Sequence, residues 1–295
     1  MTQLPRGIIA DTLNQKTRRV ERQHRDDDTI PMLHVSSLIK SGTQDFFCPR
    51  EFVLRYMDGV EAEGGGLPPK FQLLYAVGHF YGEYIVNEFL RRNPEWAQYA
   101  WGDWTCRCRA TISHKCYKPA DTTCETCGGP LEHYLETDLW NPARTVIGHA
   151  DLIFLVEDVF YVYEFKSIER ADVPFDTLEA PLGDHLVQAS NYFYMLSSMY
   201  PELRVAPNIR FVYVDRSMDG LYTKQPFKEF AAKKIPARRL RNFYLRAKEC
   251  HTSIKKGVLP ERICEDISCA RAKQCTRAIS CFNRTRNKVK RIVWE

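Results

Sequence analysis

Apolar positions along the chain fall into blocks with different periods. From Phe71 to Arg92 the residues Leu73, Leu74, Val77, Phe80, Tyr84, Ile85, Phe89 and Leu90 recur at three- and four-residue steps, the period of a helix with one buried stripe. His79 and Glu83 stand four apart and share a face of that helix. The same spacing predicts helices over about 184–200 and 237–255, while IRFVYVD at 209–215 reads as a strand. Strands and helices are interleaved, which is an α/β pattern.

The segment VIGHADLIFLVEDVFYVYEFKSIE predicts two strands, 145–156 and 159–168, with apolar residues on both faces and hence a central place in a sheet. Reading Glu157-Asp158 as a two-residue turn makes opposed residue numbers sum to 315, which sets Asp151 directly across from Glu164. Their Cβ atoms would then lie roughly 5 Å apart, a spacing at which two carboxylates share one cation. Lys166 projects from the same face as Glu164. A one-residue slip would send one carboxylate to the other face, and Glu-Asp is not a favoured pair for a type I′ turn. Charges inside apolar strands are costly unless paired or metal-bound. The alternative is an ion pair on an edge strand.

Five segments follow from these patterns: a charged mobile arm over 1–30, an N-terminal part over 31–101, an insert over 102–130, a core over 131–227, and a basic C-terminal region over 228–295. The formal charge of +5 conceals an asymmetry, because residues 228–295 hold 19 Lys/Arg against 6 Asp/Glu and the remainder 23 against 31. A basic end suits phosphate and an acidic centre suits a cation. On the predicted helix over 237–255, Arg238, Arg239, Arg241, Arg246 and Lys248 accompany an apolar face of Leu240, Phe243, Tyr244 and Ala247. They are candidates for sequence-independent contact with a nucleic-acid backbone. No run of 18 apolar residues argues for a membrane span, and the first ten residues lack the apolar stretch of a secretory signal, so a cytoplasmic protein with no membrane partner is expected. No GxxxxGK[ST] phosphate loop is present, which argues against an ATP-driven motor.

Eleven cysteines in such a chain point to metal more than to disulfides. Cys106, Cys108, Cys124 and Cys127, the last pair within CETCGG, read as a zinc ribbon or knuckle; Cys116 or His114 is an alternate ligand. A second cluster, Cys264, Cys269, Cys275 and Cys281, lies near the C-terminus, and Cys48 sits far upstream in FFCPREFVLRY.

GHAD at 148–151 and Glu164-Phe165-Lys166 resemble the signature of the PD-(D/E)XK nucleases. Gly78-His79 upstream and Gln188-Ala-Ser-Asn-Tyr192 downstream resemble two further motifs of the RecB-like branch, in the same order, over about residues 75–195. The cysteine layout is similar to that of CRISPR-associated RecB-like exonucleases and of the AddB nuclease domain. The resemblance implies a restriction-endonuclease-like core, a central mixed sheet flanked by helices, here with an inserted zinc ribbon and a C-terminal region stapled by a cluster. It implies Mg²⁺ or Mn²⁺ held by His79, Asp151, Glu164 and the carbonyl of Phe165, with Lys166, Gln188 and Tyr192 completing the catalytic set. It also implies a 4Fe–4S cluster on Cys48, Cys264, Cys275 and Cys281, Cys269 being the alternate; the family's short first cysteine spacing is absent, and zinc or plain thiols remain alternatives there. The activity implied is DNA exonuclease action on single strands or duplex ends, leaving a 5′-phosphate, with recombination or replication proteins as partners in a prokaryotic or phage-infected cell. The alternative is a non-catalytic Fe–S and zinc module that binds nucleic acid on the same scaffold.

Overall fold

The computed structural model describes residues 30, 32–39, 47–58, 69–110, 112–120, 122–169, 175–217, 226–275 and 277–283. All but the last residue of the arm expected over 1–30 lies outside them. The strands are β1 (Leu33–His34), β2 (Trp101–Thr105), β3 (Ile112–Tyr117), β4 (His133–Leu135), β5 (Thr137–Trp140), β6 (Val146–Ala150), β7 (Leu152–Val156), β8 (Val159–Ile168), β9 (Arg204–Val205), β10 (Asn208–Asp215) and β11 (Phe227–Lys233). The longer helices are Pro49–Asp58, Pro69–Arg92, Gly183–Met199 and Ala237–Lys256. Among the described residues, no helix is long and apolar enough to cross a membrane.

The chain divides into two compact units, one of Met1–Met32, Gln44–Ala76 and Asn242–Glu295, the other of Leu33–Thr43 and Val77–Arg241. The second unit carries the sheets. Its largest runs β11-β10-β8-β7, with β9 also on β8; β8 is parallel to β9 and β10 and antiparallel to β7, which makes it mixed. The Gly183–Met199 helix packs on β5, β6, β8 and β9. These elements are of the α/β class.

The hairpin β7–β8 has Val156 opposite Val159 and Leu152 opposite Tyr163. Glu157 and Asp158 take positive φ, 48° and 61°, as both central residues of a type I′ turn must. Neither residue favours that conformation, which costs roughly 1–2 kcal/mol at each. The ladder of apolar pairs on either side outweighs the cost, because a one-residue slip would turn buried residues such as Ile153, Phe160 and Val162 out of the core.

Two expectations are corrected. The single strand over 145–156 is two strands in different sheets: β6 pairs with β5 and β1, β7 pairs with β8, and the chain bends between them at Asp151. The hairpin is not covered on both faces throughout, since Tyr161 is 39% exposed near the turn. The insert expected over 102–130 also shares its core with the rest of the unit. Trp104, Cys106, Cys124, Leu131 and Tyr134 join one core with Val86, Leu90, Leu152 and Phe154. Tyr134 fastens it, donating its hydroxyl hydrogen to the Trp101 carbonyl at 3.0 Å and accepting the Ile153 amide at 3.2 Å.

Candidate active site and thiol groups

Asp151 is where the chain leaves one ladder and enters the next. In β5–β6, Thr137 opposes Ala150, so one further step sets Glu136 across from Asp151. In β7–β8, Leu152 opposes Tyr163, and one further step sets Glu164 across from it. Asp151 has bent out of both ladders, and its Oδ2 accepts the Phe165 amide hydrogen at 2.7 Å. That bond gives the break its physical reason: the carboxylate takes a backbone donor of β8 that a continued β7 strand would have presented to another partner.

Glu164 is buried in the sheet between β7 and β10. Its Oε1 lies 2.5 Å from the Lys166 ammonium, while Oε2 is buried with no hydrogen-bond partner among the described residues. Burial, then the Asp151 carboxylate, pushes the Glu164 carboxyl up; Lys166 opposes them. Burial pulls Lys166 down, but Glu164 and Asp151 outweigh it and hold the ammonium above its ordinary range, so it stays charged. On the neighbouring strand, Tyr213 pairs with Lys166 in register. The Tyr213 hydroxyl accepts the Leu182 amide at 3.0 Å and lies 2.8 Å from His185 Nδ1. Burial and the Lys166 charge push His185 down to about 3, so its imidazole is neutral.

Glu136 is a third carboxyl that the sequence did not single out. It is raised to about 7 by burial first and by Asp151 next. Its signal was legible only through the β5–β6 pairing, which a single strand over 145–156 conceals. Glu136 and Asp151 line a cleft of about 240 Å³, open to solvent, together with Gly82, Glu83, Val86 and Tyr134. Glu83 is 2.6 Å from His133 Nε2 and pairs with Arg109. His79 belongs to the Pro69–Arg92 helix; its side chain lies outside the described residues.

Gln188 and Tyr192 face one another one turn apart, the Gln188 Nε2 amide donating to the Tyr192 hydroxyl oxygen at 2.6 Å. Tyr192 is fully buried, and a Cβ on Gly148 would overlap its ring and meet Val35 at 3.1 Å. The GHAD glycine is therefore a space requirement of the helix that carries Gln188 and Tyr192.

In the insert, Cys106, Cys108, Cys124 and Cys127 bring their sulfurs within 4.8 Å of one another, a group that could hold a metal ion. The Cys106–Cys108 and Cys108–Cys124 separations are 3.2 and 3.6 Å. Four sulfurs bonded tetrahedrally at about 2.3 Å would stand roughly 3.8 Å apart, so small movements suffice. The Thr126 amide donates to Cys124 Sγ at 3.4 Å, and Gly128 turns the loop at φ 66°. Of the alternates, Cys116 does not join this group, and His114 Nδ1 lies 2.9 Å from Asp103.

In the other unit, Cys48, Cys264, Cys275 and Cys281 line one recess with Glu51 and Arg262. Their sulfurs do not close to the 4.8 Å of the insert's group. Cys269 instead caps the Ala270–Gln274 helix, its sulfur accepting the Ala272 amide at 3.3 Å. Burial raises Cys48, raises Cys264 to about 11 and raises Cys275 to about 12, so these remain thiols until a metal takes their protons. On the Ala237–Lys256 helix, Arg238, Arg239, Arg241 and Lys248 are exposed, whereas Arg246 is half-buried. Leu240 and Ala247 are buried as expected of its apolar face; Phe243 and Tyr244 are only half-buried.

No protein-family model matches the sequence, and no curated protein does. One solved structure, described as "Crystal structure of SSO0001", is similar at 16% identity over 96% of this chain and 99% of that one, with a TM-score of 0.40.

Proposed function

We propose that the protein is a metal-dependent DNA exonuclease with a PD-(D/E)XK core of the RecB-like branch, cutting phosphodiester bonds at DNA ends or on single strands. The observation that supports this reading is the buried Glu164 carboxylate, which lies near Asp151 and holds Lys166 while its second oxygen has no hydrogen-bond partner among the described residues. A polar atom left in that state costs about 1–3 kcal/mol or more unless something binds it. Asp151 and Glu164 offer hard oxygen donors to Mg²⁺ or Mn²⁺, with His79 and the Phe165 carbonyl as the remaining ligands that the resemblance implies. The cation would polarise the scissile phosphate and the attacking water.

The protein's own groups then have separate tasks. Lys166, held charged, neutralises negative charge that builds on the phosphoryl oxygens as water adds and the 3′ oxygen leaves. Gln188 and Tyr192, locked against Gly148, position the substrate strand or the lysine. Arg238, Arg239, Arg241 and Lys248 engage the nucleic-acid backbone through charge, so binding weakens as salt rises. The insert thiols fit zinc, and the recess of Cys48, Cys264, Cys275 and Cys281 fits a 4Fe–4S cluster, which needs four thiolates spread around a body larger than one ion.

The second reading is a non-catalytic nucleic-acid-binding module. The Lys166–Glu164 contact favours it, because it already neutralises the carboxylate as a structural ion pair would. End-labelled linear DNA incubated with Mn²⁺ separates the two. Asp151→Ala and Lys166→Ala, folded like the wild type, are expected to lose cleavage by on the order of 10³-fold. A wild type with its thiol sites loaded that cuts nothing would leave the binding module standing.

A further inference from the structure

The proposed reaction uses Glu164 and Lys166 on β8 and Gln188 and Tyr192 on the helix above it, and leaves one side chain of the same group without a task. His185 stands in the first turn of the Gly183–Met199 helix, three residues before Gln188 and seven before Tyr192, so the three share one helix face. That helix packs on β8. Tyr213 of β10 is paired with Lys166 of β8, and paired residues project from one face of a sheet. His185 meets that face through Tyr213, its Nδ1 lying 2.8 Å from the phenolic oxygen, with ring centroids 5.6 Å apart. The imidazole therefore belongs to the group around Lys166 and feels the ammonium charge.

Counting hydrogen bonds fixes the proton on that ring. The Tyr213 oxygen accepts the Leu182 amide at 3.0 Å, and a phenol has one hydrogen of its own to give. Among the described residues the acceptor within its reach is His185 Nδ1, so the phenol donates there. The opposite assignment would make the oxygen accept twice and leave the hydrogen of a fully buried tyrosine unpaired. A neutral imidazole that accepts at Nδ1 carries its hydrogen at Nε2. A second proton is disfavoured by partial burial, by the Lys166 charge and by the positive end of the helix dipole. Nε2 itself has no hydrogen-bond partner among the described residues.

We infer that His185 gives its Nε2 hydrogen to a phosphate oxygen of the bound nucleic-acid strand, with Tyr213 as the positioning residue that sets the tautomer. The two donors beside each other are complementary. Lys166 supplies charge but, as an ammonium on a flexible stem, little direction. The imidazole N–H supplies direction without a second cation to desolvate. A neutral imidazole at a helix N-terminus can hydrogen-bond an oxygen on which negative charge builds. This role rests on the reading of the site as one that takes a nucleic-acid phosphate.

The test pairs two substitutions of unequal reach in the full chain with its thiol sites loaded. An Asn side chain extends as far as Nδ1, keeping a partner for Tyr213 but offering nothing at Nε2. A Gln side chain extends to Nε2 and restores a donor there. His185→Asn is expected to weaken binding of a labelled single-stranded oligonucleotide, measured without added divalent ion, by about tenfold or more. His185→Gln should recover most of that loss, whereas a packing role would tolerate Asn better than Gln. Nitrogen-15 spectra of the histidine rings, with His185 assigned by its loss in His185→Gln, should show the Nε2–H tautomer in the wild type and a mixture in Tyr213→Phe. The tautomer is read on the wild type, so it stands even if a variant fails to fold. Equal binding by wild type and His185→Asn, or an Nδ1–H tautomer in the wild type, would overturn the inference. A chain that binds the oligonucleotide through His185 yet cuts nothing with Mn²⁺ removes the nuclease reading alone. Cleavage at the same rate in wild type and His185→Asn removes this role alone, and a wild type that binds no oligonucleotide removes both.

Discussion

In the insert, four thiols close to within 4.8 Å of one another. Around Asp151 the carboxylates are held apart by their own partners: Asp151 by the Phe165 amide, Glu164 by the Lys166 ammonium. Charge explains the contrast. Neutral thiols repel little, and Cys108 shows why they stay neutral: an Ala110 amide favours its thiolate, but the neighbouring cysteines outweigh it and push the thiol up to about 12. Carboxylates are anions at neutral pH unless burial prevents it, so three of them cannot gather without a counter-charge. A ligand set that can be assembled before its ion arrives suits a structural role. One that needs a cation to complete it suits chemistry, in which the charge is met by a substrate phosphate.

The largest effect that could break this contrast comes from the thiols. Cys106 and Cys124 are buried in the core that includes Trp104, Tyr134 and Phe154, so loss of an ion held there should loosen that core as well as the loop. Cys124→Ser, or removal of the ion by a strong chelator, is expected to lower the thermal midpoint by on the order of 10 °C, corresponding to about 3–5 kcal/mol. Cys116→Ser should move it less, since Cys116 packs against that core but is outside the four-thiol group. Asp151→Ala leaves the Phe165 amide without its carboxylate and should cost stability less than Cys124→Ser does, about 1–3 kcal/mol, while abolishing the proposed cleavage. Equal losses of stability from Cys124→Ser and Asp151→Ala would erase the distinction between a structural set and a catalytic one.

The legibility of the two regions differs for the same reason. CETCGG and the four cysteines are local in sequence, and their chemistry needs only a loop tight enough to bring them together. The hairpin register itself was also readable, because apolar alternation fixes it even through a poor turn pair, although the ladder stops at Leu152 and Tyr163 and Asp151 bends out of it to take the Phe165 amide. Glu136 was not. Its place depends on β5 pairing with β6, and that depends on Asp151 ending one ladder to begin another. The insert's burial in the core was equally hidden, since Trp104 and Tyr134 pack against helix and hairpin residues distant in sequence.

A smaller change sharpens the carboxylate side. Gly148→Ala puts a methyl group into the Tyr192 ring, which is buried and cannot swing away. Overpacking of this kind costs about 1–3 kcal/mol. It should also disturb the Gln188–Tyr192 bond, lowering cleavage while leaving metal binding by the insert intact. A variant with full stability and full rate would mean that the glycine answers to something other than the tyrosine.

The smallest expected effect is the pH dependence of the cation-free protein, and it reads the charge argument directly. Burial and Asp151 raise Glu164 to about 8, and burial and Asp151 raise Glu136 to about 7. Both carboxyls therefore keep protons in the folded chain at pH values where the unfolded chain has lost them. The sign follows: this stability is complete below the ordinary carboxylate range and drains away as pH rises through the two folded values. His185 acts oppositely, because burial lowers it to about 3, but its stabilising effect is already complete above pH 6.5 or so. Between about pH 6.5 and 8 the carboxyls dominate, and stability should fall by at most about 1.4 kcal/mol per pH unit for each group titrating. Glu164→Gln should flatten most of that slope, and saturating Mg²⁺ or Mn²⁺ should do the same in the wild type by holding the carboxylates ionised. If the slope persists in Glu164→Gln, the buried carboxyl is not what the cation would relieve, and the contrast with the thiols would rest on geometry alone.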